Sequence, residues 1–279
     1  MSVVIEGSLT ENESENSYWH YPSFGSLGFE AGDLILIIFS CDGDNTVTFG
    51  DYTKIIDVND GKDITLTVAY KIAGEGESST VIQTSGSEKG TWIVIRITGH
   101  DSGNPPEGVD SSSGSDEYPD PISLSPTGGS KEYLWIACYA ADDQYSWTSA
   151  YPTDYTYHQN TKAGNNPGGA ACGIAARILT ATSENPGTFT LYGGAEQWEA
   201  GTIAIYPAEV GGETVFNTIV GSPIGWSWGT ATIDTDTAPR SPTTDGLGWN
   251  WEVVSNTSTN YIPSGNELSW DWCVEDAGS

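Results

Sequence analysis

The sequence predicts an all-β protein: a duplicated antiparallel β-sandwich of jelly-roll-like type, followed by a small Trp-rich β module. Three observations predict it. Two stretches about a hundred residues apart nearly repeat each other. The 34 glycines and 14 prolines punctuate short β-branched and aromatic runs with almost no helical periodicity. Six of the 11 tryptophans fall in the last 69 residues, as Trp-x-Trp pairs.

Taken in chain order, strands are predicted at 2–8, 33–40, 46–50, 63–72, 80–84, 91–98, 121–125, 133–140, 171–180, 187–192 and 199–206. Leu34 to Phe39 is apolar throughout and reads as a central strand buried on both faces. Asp63 to Tyr70 alternates, which predicts one wet and one core face. The repeat runs through these strands. Gly32 to Asp44 is answered by Glu132 to Asp143, each an apolar strand ending in an acidic turn. Ala69 to Ile72 is answered by Ala175 to Ile178, Thr80 to Ile82 by Thr188 to Thr190, Gly86 by Gly194, and Ile93 to Ile95 by Ile203 to Ile205.

The expected organisation is one domain over 1–208, with repeats at about 1–99 and 121–208 sharing a core in pseudo-twofold fashion. Residues 99–121, rich in Ser, Gly, Pro and acid, read as a crossover or surface loop. A second long loop, 145–169, carries Trp147, Tyr151, Tyr155, Tyr157 and His158 and is too aromatic for a spacer. A hinge at 209–215 leads to the module 216–279. There Trp226 and Trp228, Trp249 and Trp251, and Trp270 and Trp272 each place two indoles on one strand face. These six serve as core, subunit interface or sugar-stacking platform. So small a module has little core of its own, and oligomerisation, for example as a trimer, is one way to complete it.

The balance of 38 acidic against 9 basic residues gives a formal charge of −29. That field repels nucleic-acid phosphates and anionic membrane surfaces, and the scattered acid suits a solvated surface in saline water. Cys41, Cys138, Cys172 and Cys273 show no zinc spacing. Cys41 and Cys138 end matching apolar strands and read as buried free thiols, while a Cys41–Cys138 or Cys138–Cys172 disulfide stays open. The opening residues do not read as a signal peptide, so synthesis in the cytoplasm is expected.

No catalytic centre is expected. The three histidines, His20, His100 and His158, read as loop residues, solvent-facing or capping, and no Gly-x-Ser-x-Gly elbow occurs. Glu196 and Glu199 flank Trp198, but nothing selects them as a glycosidase pair over an ordinary turn. No cofactor is required; calcium is the one candidate. Asp42, Asp44, Asp142 and Asp143 offer hard oxygens in matching turns, against the alternative that Asp and Asn cap their own backbone there.

The words Glu30 to Leu36, Val68 to Ile72, Trp92 to Ile97, Ser183 to Thr188 and Gly201 to Pro207, in that order, resemble a recurring type of bacteriophage virion protein. The resemblance covers about residues 25–208. It implies a non-enzymatic β-sandwich on the particle surface, either a capsid decoration protein or head spike, or a tail fibre component. Other virion proteins are then the expected partners, with a host surface glycan as the partner of the alternative, receptor-binding reading. The candidate binding residues, for glycan or for subunit contact, are the six module tryptophans with Trp147, Tyr151 and Tyr155.

Overall fold

The computed structural model describes residues 2–208 apart from 60, 62, 144–146 and 165–167. The chain divides into two units, Met1–Val210 and Gly211–Ser279, and every described residue lies in the first. The hinge, the tryptophan module with its six candidate residues, and Cys273 therefore lie outside the described residues.

The described unit is a β-sandwich. One sheet runs in the order β1 (Val4–His20), β6 (Ile82–Thr98), β2 (Leu34–Asp42), β5 (Ile64–Ile72), β4 (Thr53–Asn59), with the short β3 (Val47–Thr48) pairing on β6. The other runs β7 (Glu107–Gly114), β13 (Trp198–Ile205), β8 (Lys131–Asp142), β11 (Ala170–Ala181), β10 (Tyr157–Ala163). A ribbon of β9 (Thr148–Ala150) and β12 (Thr190–Leu191) lies beside the second sheet's strands in sequence. All strand pairs are antiparallel. Helix is confined, among the described residues, to one 3-10 turn at Gly25–Leu27.

The two sheets have the same order, strand for strand, once β1 is matched with β7, β6 with β13, β2 with β8, β5 with β11 and β4 with β10. Register repeats as well. Leu34 sits between Ile72 and Ile97, and Leu134 sits between Ile178 and Ile205. Across the sandwich β1 faces β10 and β4 faces β7, as a pseudo-twofold axis along the strands requires. One detail of the expected alignment shifts. Ile95, not Ile93, matches Ile203, since these are the partners of Leu36 and Ile136. The shift is two residues, so the same side chains still face the core.

The layer between the sheets is aliphatic. Leu34, Leu36, Ile38, Leu66, Val68, Ile95 and Ile97 meet Leu134, Ile136, Ile174, Ile203 and Ile205 there. Burying each contributes about 1.5–3 kcal/mol. The outer faces are covered too. Phe24, Phe29, Val47, Phe49 and Ile82 close over Ile35, Ile37, Phe39 and Val94. Tyr155, Phe189 and Leu191 close over Ala137, Tyr139, Ala175 and Ala200. This double cover explains why β2 is apolar from Leu34 to Phe39.

It also corrects the wet face expected for β5. Thr65 and Thr67 are fully buried, and their hydroxyls bond to the Gly43 carbonyl (2.6 Å) and the Asp57 carboxylate (3.1 Å). The predicted crossover 99–121 contains β7, the loop 145–169 contains β9 and β10, and β4 was not expected. The predicted strand 121–125 reduces to a single bridge, Leu124 to Glu184.

Candidate functional site

Strand alternation in β10 sorts its side chains. Tyr157 bonds through its hydroxyl to Ser8 (2.5 Å) and Thr161 to Thr91 (3.0 Å), both toward the first sheet. His158, Asn160 and Lys162 therefore share the opposite face. There His158 stacks on Tyr151 with ring centroids 4.0 Å apart and planes 2° from parallel. The Asn160 amide donates to the Tyr151 hydroxyl at 2.5 Å. The Lys162 ammonium lies 5.5 Å from the Trp147 ring centroid, and Trp147 meets Tyr192 edge-on at 5.7 Å. The β9–β12 ribbon holds that last pair, with the Tyr192 N–H donating to the Trp147 carbonyl at 2.8 Å. Trp147 is 42% exposed and Tyr192 59%.

Of the expected surface aromatics, Trp147 and Tyr151 thus belong to one strip. Tyr155 does not. It is buried, donates to Glu184 at 3.0 Å and lies under the Arg177 guanidinium at 4.9 Å. Arg177 in turn bonds Glu184 at 2.5 Å. The reason is local: Asp154 takes a positive φ of 68°, which turns the chain so that Tyr155 points inward. Tyr192, Asn160 and Lys162 join the strip without having been expected.

The matching acidic turns do come together. Burial first, then the charges of Asp143, Asp42 and Glu196, push the Asp142 carboxyl from 3.8 up to about 7, against a backbone hydrogen bond from Asp143. Asp42 is raised chiefly by burial, and Glu88 by burial and by Asp42. Asn45 is not free to serve a cation. Its Nδ2 donates to the Asp42 carbonyl (2.8 Å) and its Oδ1 accepts from the Gly86 N–H (2.6 Å). Asp44 is exposed. Among the described residues no three His, Cys, Asp or Glu side chains are arranged to hold a metal ion.

His20 corrects the expectation of loop histidines. It is fully buried against Phe39 (5.2 Å) and Trp92 (6.1 Å), with neither ring nitrogen hydrogen-bonded. Burial lowers its pKa from 6.5 to about 4, partly offset by Glu13. Trp198, between Glu196 and Glu199, is buried over Gly114 and donates to Asp116 at 3.1 Å. Cys41, Cys138 and Cys172 are buried free thiols.

These two groups give opposite pH dependences. Asp142 binds its proton more tightly folded than unfolded, so its contribution to stability falls as pH rises from about 4 to 7. His20 binds its proton less tightly folded, so its contribution is lost as pH falls from 6.5 to about 4. Thermal melts separate them. Asp142→Asn is expected to stabilise the protein by about 1–2 kcal/mol at pH 8, after allowance for solvent screening, and by little at pH 4. His20→Phe is expected to stabilise it increasingly below pH 6. Parallel curves for variants and parent would refute both assignments.

No known protein family matches the chain, and no curated protein or solved structure is similar to it.

Proposed function

We propose that the chain is a non-enzymatic structural component of a phage particle, displayed on its surface as a capsid decoration protein or head spike. The observation that carries this reading is the duplicated sandwich in which both faces of the interior strands are spent on packing. Such a unit is a rigid spacer, and its distinctive chemistry is left to edges and loops. The resemblance of its ordered words to virion proteins and its strongly acidic composition, suited to exposure in saline water, agree with it. The tryptophan module is assigned to attachment and the β10 strip to the outward surface.

Mass spectrometry of gradient-purified particles tests this. The protein is expected in fixed stoichiometry with the capsid or tail proteins. Its presence only in the lysate, never with particles, would rule the reading out.

A second reading, recognition of a host surface glycan, is favoured by one specific feature: the exposed Trp147–Tyr192 pair. An indole face stacks on the apolar C–H face of a sugar, and the pair is held by backbone hydrogen bonding rather than by a mobile loop tip.

A further inference from the structure

Resting on the glycan reading, we propose that the strip along β10 binds a carboxylated saccharide, with Trp147 as the stacking platform and Lys162 as the partner of the sugar carboxylate.

Two observations point to an anionic ligand. The first is the company four other cations keep. Lys54 pairs with Asp57, Lys71 with Asp51 and Glu77, Arg96 with Asp33, and Arg177 with Glu184. Lys162 is exposed and lies over an indole, with no carboxylate of the described residues within 4.0 Å. In a chain with 38 acidic residues that position has to be kept clear.

The second is how far the clearing extends. From Gln144 to Gly169, 26 residues, the sole carboxylate is Asp154. At the chain's average, 26 × 38/279, about 3.5 would be found. Asp154 itself acts on Arg177, part of the buried network rather than the strip. The segment that supplies most of the strip is thus a gap in the acid along the chain. Repulsion from acid farther away is screened over ~8 Å at physiological ionic strength.

The rest of the strip suits a sugar chain. From His158 to Lys162 the strand rises about 13 Å, lined by the Asn160 amide and the Tyr151 hydroxyl, with Tyr192 at one end. Hydroxyl groups find donors and acceptors there, and a carboxylate beside Lys162 forms a charge-assisted hydrogen bond that a neutral sugar cannot form.

Isothermal titration of the full chain with a galacturonate tetrasaccharide, its fully methyl-esterified neutral form and an oligoglutamate peptide tests the proposal. The acidic saccharide is expected to bind at least tenfold more tightly than the ester. Lys162→Gln should erase that ratio, Lys162→Arg should retain it, and Trp147→Ala should abolish binding of both saccharides. All three variants should melt within about 3 °C of the parent, since these side chains are exposed. Equal binding of the ester, with Lys162→Gln silent, overturns the role of Lys162 while leaving glycan recognition standing. Binding of neither saccharide overturns both. Oligoglutamate binding as tightly as the saccharide overturns the sugar and leaves only an anion site.

Discussion

Leu36→Ala and Ile136→Ala are each expected to lower the unfolding free energy by about 2–5 kcal/mol, the cost of deleting a fully buried branched side chain and leaving a cavity. The two residues occupy matching positions in the two sheets and meet in one shared inter-sheet layer. Each variant is therefore expected to unfold in urea in a single transition, shifted to lower denaturant with an unchanged slope. If the repeats were separate folding units, Leu36→Ala would split the curve and leave the second half untouched.

A loss of similar size is expected at the buried ion pair. Glu184 is 5% exposed and shares one carboxylate oxygen between Arg177 (2.5 Å) and the Tyr155 hydroxyl (3.0 Å). Arg177→Met keeps most of the side-chain volume but strands the carboxylate, which costs about 3–5 kcal/mol. Adding Glu184→Gln is expected to restore part of that, because a neutral amide is cheaper to bury than an unpaired charge. Denaturant melts of the single and double variants decide it. A double variant no more stable than Arg177→Met would mean that lost packing over the Tyr155 ring, not the stranded charge, sets the cost.

The all-β class, the duplication and the interior strands were readable in the sequence because double-sided burial makes them apolar. β2, β5, β8, β11 and β13 all stand close to where the hydrophobic runs place them. Apart from the short β9, what escaped reading is a coherent set: β4, β7, β10 and the outer half of β1. These are the four edge strands of the two sheets. An edge strand pairs on one side only and is kept polar, which also discourages pairing with other chains. Thr53–Asn59, Glu107–Gly114 and Tyr157–Ala163 therefore look like loop sequence. The acidic run Glu11, Glu13 and Glu15 likewise lies within β1.

The site was half legible. Aromatic density marked Trp147 and Tyr151, yet it marked Tyr155 equally. Only the turn at Asp154 and the Arg177–Glu184 pair decide that Tyr155 goes inward. Tyr192 stands 45 residues from Trp147, and nothing in its neighbourhood announces the contact that β9–β12 pairing creates. The acidic turns show the reverse. Their matching positions at Asp42 and Asp142 were plain in the repeat, and the same axis that pairs them makes them repel. Burial together with that repulsion is what raises Asp142.

The central proposal is that the duplicated sandwich serves as scaffold and that recognition lies on the aromatic strip along β10. Hydrogen exchange of the full chain with and without purified host surface polysaccharide tests it most directly. Slowed exchange is expected in 147–163 and 190–192, with 216–279 unchanged. Protection confined to 216–279, with the strip unaffected, would contradict it.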